Sequence, residues 1–230
     1  MALPSAPSAH EQHVESAAYQ RRWLILAVLC LSLLVIVLDN SILNVAIPTI
    51  VRDLDASTSQ IQWIVDAYTL VFAGLLLVAG SLGDRYGRRG ALQVGLIVFG
   101  VGSLAASFVQ DANQLIGVRA FMGIGGAFIM PATLSIITNV FPAHERGKAI
   151  GIWAGASGIG GSLGPLLGGT LLAHFSWQSV FLVNVPIVII GVIAGLSIIP
   201  TSKDPAAPRL DPLGALLSIA GLAVLLWGLI

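Results

Sequence analysis

Asp39, Asp66 and Arg119 lie in stretches otherwise built mainly of Leu, Ile, Val, Ala and Gly. An ionisable side chain in such a stretch costs about 3 kcal/mol or more unless it is paired, protonated or wetted, so it is read first as a functional group. A carboxylate there can take up a proton or bind a cation, and a guanidinium beside it competes with both. Counted from Trp23 at about 1.5 Å per residue, Asp39 stands about 24 Å along its stretch, past the midplane toward the far side. Asp66 follows Gln62 and Trp63 by one turn near that far boundary, where headgroup solvation is the plain alternative to a role in a cavity. If both acids face one cavity, one can hold a cationic substrate while the other takes a proton. Arg119 beside Asp39 would hold that acid ionised, and an incoming cation would then compete with the proton for one carboxylate. The plain alternative is a static pair tying two helices together.

Two further runs carry unusual residue types. The run Gly80-Ser81-Leu82-Gly83-Asp84-Arg85-Tyr86-Gly87-Arg88-Arg89-Gly90-Ala91-Leu92 holds four of the twenty-two charged residues (eleven basic, eleven acidic) in six positions. Anchoring of positive charge at a membrane surface accounts for Arg88 and Arg89 but not for Asp84 or the glycines. Asp84 closing one helix, with arginines opening the next, can instead form a charged brace. The second run contains Gly151, Gly155, Gly158, Gly160, Gly161, Gly164, Pro165, Gly168 and Gly169. Glycine spacings of three and four bare the backbone along a helix face for close approach, and Pro165 adds a kink.

The elements that must position these residues are membrane helices. The chain is 56% hydrophobic and 10% charged, with mean hydropathy +0.92, values outside the range of soluble globular domains. About twenty apolar residues cross the hydrocarbon core. Seven stretches qualify: Trp23 to Val51, Ile61 to Leu82, Ala91 to Val109, Gln114 to Val140, Ala149 to Leu172, Val180 to Ile199 and Pro212 to Ile230. The expected organisation is a tail over 1–22, a six-helix bundle over 23–199, a loop over 200–211 and a seventh helix over 212–230. The fold class is therefore an all-α polytopic membrane protein. Arg21, Arg22, Arg85, Arg88, Arg89, Arg146, Lys148, Lys203 and Arg209, nine of the eleven basic residues, fall before the first stretch or in the second, fourth and sixth connections. Because Lys and Arg are retained on the cytoplasmic side, the amino terminus and the charged run are expected to be cytoplasmic. The stretch after Arg21 and Arg22 runs on to Pro48, too long for a cleaved signal peptide. Cys30 stands alone in an apolar run and fills space in a helix. Balanced charge, with an isoelectric point near 6.9, argues against a nucleic-acid partner.

Gly80 to Leu92 resembles the loop between the second and third helices of the major facilitator superfamily at every fixed position. Leu38-Asp39-Asn40-Ser41 through Pro48 is similar to the first-helix signature of the fourteen-helix drug:proton antiporter branch, the QacA/EmrB-type multidrug exporters, with Ser41 where Thr is usual. Gln62-Trp63 through Asp66 and Tyr68 also resembles that branch. Leu115 to Ala127, with Arg119, resembles the fourth-helix motif, whose arginine the family assigns to proton transfer. Gly155 to Gly169, including Gly160, Gly161, Gly164, Pro165, Gly168 and Gly169, resembles the antiporter motif, which implies export and an interface with a second bundle. The resemblance makes Gly80, Gly83, Asp84, Arg85, Gly87, Arg88 and Arg89 a gating loop that docks on that bundle, and Phe141 to Lys148 a brace on the same surface. Trp177 to Pro186 follows the branch only in part, since Gln178 and Ser179 stand where Arg and Trp are usual. Arg209 to Leu217 resembles the start of the branch's seventh helix.

The resemblance implies the amino-terminal half of a proton-coupled exporter of lipophilic, cationic compounds in a bacterial-type cytoplasmic membrane. Its partners would be the lipid bilayer, a small-molecule substrate, protons and a missing carboxy-terminal bundle. Asp39, Asp66 and Arg119 would couple proton to substrate, with no metal, organic cofactor or covalent catalysis. The 230 residues would then be a fragment or a truncated frame, and the second reading is a non-transporting remnant or partner subunit. Gly155-Ala156-Ser157-Gly158 also fits a Gly-x-Ser-Gly nucleophile pattern, yet His174, seventeen residues on, would lie about 25 Å away on a continuous helix, beyond reach as a base.

Overall fold

The computed structural model describes residues 19–204 and single helical positions between 214 and 228. Most of the expected tail, the loop beyond residue 204 and most of the seventh stretch lie outside the described residues. The described elements are α1 (Arg22–Leu54), α2 (Thr58–Tyr86), α3 (Arg88–Ala106), α4 (Ala112–Val140), α5 (Ala143–His174), α6 (Ser179–Leu182) and α7 (Asn184–Ile198). Six spans are long and apolar enough to cross a membrane, the sixth being α6 and α7 together, Ser179–Ile198. The chain is an all-helical, multi-pass membrane protein.

Helix ends follow local chemistry. Ser57 opens α2 with a reciprocal cap: Gln60 N donates to its Oγ at 3.3 Å, and Ser57 N donates to Gln60 Oε1 at 3.0 Å. Asp111 opens α4 by accepting from Gln114 N at 2.9 Å. These polar caps satisfy amide groups that the first helical turn leaves unpaired. Gly87 alone separates α2 from α3, with φ 133° and ψ 120°, a conformation open to glycine and not to side-chain-bearing residues. The break at Val183 between α6 and α7 has its cause in Pro186, which lacks an N–H and whose ring would collide with the Leu182 carbonyl in a continuous helix.

Helix α4 is the hub, packing most extensively on α2 and α3, while α1 packs along α5 and α7 lies against α1 and α3. Glycines permit these crossings. A Cβ at Gly123 would stand 2.6 Å from Tyr68 O in α2, and one at Gly125 would stand 2.7 Å from Phe99 N in α3, both well inside van der Waals contact. On the outside, α3 exposes Val94, Ile97, Val101 and Leu104, and α7 exposes Ile189, Ile190, Ile193 and Leu196. Such apolar stripes on a membrane bundle face lipid.

Candidate functional site

Asp39 and Arg119, eighty residues apart, meet in the interior, with 2% and 0% of their surfaces exposed. Arg119 Nη1 donates to Asp39 Oδ2 at 2.5 Å, Nη2 donates to Asn40 Oδ1 at 3.1 Å, and Nε donates to the Ile64 carbonyl at 3.2 Å. The guanidinium carbon also lies 4.3 Å from the centre of the Tyr68 ring. All three kinds of guanidinium nitrogen are thus engaged, and the aromatic face adds cation–π attraction. On the other carboxylate oxygen, Asn184 Nδ2 donates to Asp39 Oδ1 at 2.8 Å and reaches Ser103 Oγ at 3.4 Å. Four spans therefore close on one acid: α1 carries it, α4 neutralises it, and α3 and α7 supply neutral polar groups. A cation arriving at Asp39 must displace Arg119, and a proton arriving there weakens the same bond.

Asp66 is not part of this cluster. It is half-buried on α2, two residues beyond Ile64, and its carboxylate has no hydrogen-bond or ion-pair partner among the described residues. The buried face of α2 here runs through Ile64, Ala67 and Tyr68, so Asp66 projects beside that face rather than into the Asp39 network. Ser157 and His174 share the unbroken α5, and the His174 ring Nδ1 lies 3.0 Å from the Thr170 carbonyl. That geometry leaves Ser157 about 25 Å from the imidazole along the helix.

At the end of the bundle that carries the basic residues, Asp84 Oδ1 accepts from Arg88 Nε at 2.7 Å and from Ser135 Oγ at 2.6 Å, joining α2, α3 and α4. The chain after α7 lies on the same corner: Arg88 N donates to Ser202 O at 3.0 Å, Asp204 N donates to Asp84 O at 2.7 Å, and Arg89 Nη1 donates to Ile199 O at 3.2 Å. Gly80 admits Pro131 and Gly83 admits Ala91 at contact distance, while Gly90 meets nothing. Arg85 lies over the exposed Tyr86 ring, 5.8 Å from its centre. The 141–148 segment engages a different neighbour. Glu145 takes two bonds from Arg22, at 2.7 and 3.2 Å, joining α5 to α1.

The glycines of α5 divide between two faces. A Cβ at Gly160 would touch Val37, one at Gly164 would overlap Ser41, and one at Gly168 would touch Val45, so this i, i+4, i+8 series seats α1. A Cβ at Gly151, Gly155, Gly158, Gly161 or Gly169 would meet no atom of a neighbouring helix within 4 Å, so these positions open outward. Ser41 Oγ donates to the Gly161 carbonyl at 2.8 Å. That carbonyl is the one Pro165 leaves without its helical donor, four residues on, and a hydroxyl from a neighbouring span replaces it. Sequence reasoning had no signal for Ser103, and it met Asn40, Ser41, Tyr68 and Asn184 only as members of motifs.

The comparisons agree with this architecture. Residues 29–230 match the family model described as Major Facilitator Superfamily. The multidrug efflux pump LfrA of Mycolicibacterium smegmatis is 45% identical over 208 residues, covering 90% of this chain and 41% of that protein. The methyl viologen resistance protein SmvA of Salmonella typhimurium is 45% identical over 171 residues, covering 74% of this chain and 34% of that protein. A crystal structure of the peptide transporter POT with sulfate has the same fold over 89% of this chain and 45% of its own, with a TM-score of 0.68 at 16% identity. The chain thus spans well under half the length of the curated relatives it matches, and it belongs to the major facilitator superfamily.

Proposed function

We propose that this chain forms the amino-terminal part of a proton-coupled exporter of lipophilic, cationic compounds, working by alternating access in the cytoplasmic membrane with its amino terminus inside. The observation that carries the reading is the buried Asp39–Arg119 pair. A buried ion pair is an expensive way to join two helices, because desolvation of both ions offsets most of their attraction. It becomes useful where one member must exchange partners. Arg119 keeps Asp39 charged and ready; a proton or an organic cation takes the carboxylate in turn, and release of one accompanies binding of the other.

Relatives named for multidrug efflux and for resistance to methyl viologen, an organic dication, support a cationic substrate class. The positive-inside distribution supports the orientation. The open glycine face of α5 and the exposed Leu77, Ile159 and Leu166 support a second helical bundle as the covering partner. Asp66, near the far boundary, is assigned to first contact with the cation rather than to the coupling step.

The test is transport by the complete reading frame in vesicles with an imposed pH gradient. Dye efflux should follow the gradient and stop when a protonophore collapses it. Arg119→Ala should retain dye binding but lose the dependence of efflux on the gradient. Gradient-dependent efflux unchanged in Arg119→Ala would overturn the reading.

A further inference from the structure

Asn184 is fully buried, yet only one end of its carboxamide is used. Nδ2 donates to Asp39 Oδ1 at 2.8 Å, while Oδ1 has no hydrogen-bond partner among the described residues. A buried acceptor without a donor is unfavourable, and native structures retain few of them. The orphan is not explained by packing, since an apolar side chain of similar size would fill the same space. Its position follows from the chain: Pro186 breaks the sixth span at Val183, and the break sets Asn184 at the first position of α7, against α1.

The surroundings of Asp39 show what such a group can do. From α4 comes Arg119, which can only donate; from α2 comes Tyr68, whose ring faces the guanidinium. Helix α3 offers Ser103, α1 offers Asn40, and α5 between Lys148 and His174 carries no charged residue. The residues of α6 are uncharged as well. An ionised carboxylate accepts hydrogen bonds only, whereas a protonated one also donates. A partner limited to donating complements the first state alone. A carboxamide carries a donor and an acceptor on one torsion, and a half-turn about the Cβ–Cγ bond exchanges them; that torsion is broad and roughly two-fold.

We propose that Asn184 is a positioning residue that serves Asp39 in both protonation states. With Asp39 ionised, Nδ2 donates to Oδ1 as seen. When a proton arrives on Oδ1, the carboxamide turns over and its Oδ1 accepts the new O–H, so the orphan acceptor gains its donor. No covalent bond other than the O–H changes, and the charge released on Arg119 stays on the guanidinium. This inference rests on Asp39 being the proton site, and its test separates the two.

The test is infrared difference spectroscopy of the purified chain in lipid bilayers across a pH titration, with asparagine carrying a ¹³C-labelled side-chain carbonyl. Protonation of Asp39 gives a carboxylic-acid band that Asp39→Asn removes. The expected result is a shift of a labelled carboxamide band with the same midpoint, retained in Asn40→Ser and absent in Asn184→Leu. Because the shift is read in wild-type protein and in Asn40→Ser, it does not depend on Asn184→Leu folding. Loss of donor and acceptor together in Asn184→Leu should move the midpoint less than threefold in proton concentration, against about tenfold for loss of a fixed donor to a charge. An Asp39 band that titrates while the carboxamide band stays still would overturn the inference and leave the proton site standing. No Asp39 band at any pH would overturn both.

Discussion

Removing Arg119 alone would leave Asp39 buried with Asn184 as its one remaining donor among the described residues. Breaking a buried pair from one side costs roughly 3–5 kcal/mol, whereas replacing both members is often close to neutral. Arg119→Leu should therefore lower thermal stability strongly, and Asp39→Asn with Arg119→Leu should recover most of the loss. Unfolding followed by tryptophan fluorescence in detergent reads both; additive losses would show that the two side chains act independently. These two residues were legible in the sequence because charge is rare inside apolar runs. The neutral groups on the other side of Asp39 were less so. Ser103 and Asn184 are small and neutral, and such residues occur in many spans, so only the α6–α7 break and the α3 crossing make them neighbours of Asp39. Asp66 looked equivalent to Asp39 by type, but its position on the helix turns it away from the network.

At the scale of elements, α5 shows how a proline in one helix recruits a side chain from another. The Gly161 carbonyl, freed by Pro165, accepts from Ser41. In the Ser41→Ala protein that carbonyl loses its donor, at a cost of about 1 kcal/mol. In a Pro165→Ala background the restored N–H serves Gly161, so the same Ser41→Ala change should cost almost nothing. A double-mutant cycle on thermal stability measures this coupling; equal costs in both backgrounds would show that the hydroxyl does not replace the missing donor. Gly164→Ala should be worse than either, because its methyl group would overlap Ser41. The glycine series was legible as close packing, but its division into two faces was not. Spacing alone leaves open which face meets α1, and that choice is made by the neighbouring helix. The contacts of the Asp84 corner with 199–204 were hidden for another reason: two of the three join backbone to backbone and the third ends on a backbone carbonyl, groups that every residue has.

The six spans were legible as a whole because membrane crossing demands long apolar helices, and the expected ends differ from the observed ones by a few residues. The largest difference is at α5, which starts at Ala143 rather than Ala149, because Glu145 and Lys148 remain helical while pairing with α1 through Arg22 and Trp23. Orientation is tested on the whole molecule. In a Cys30→Ser background, Asp55→Cys should react with an impermeant thiol reagent on intact cells, and Tyr86→Cys should react only after the membrane is opened. The opposite pattern would invert the topology. In the proposed alternating-access cycle, Asp39 would stand between two openings, with Arg119 as its internal counter-ion and a second bundle across the open α5 face. The most direct measurement of that account is proton release evoked by drug addition to the purified complete protein in weakly buffered solution. Wild-type protein should release protons on binding the drug, and Asp39→Asn should release none; equal release from both would contradict exchange at Asp39.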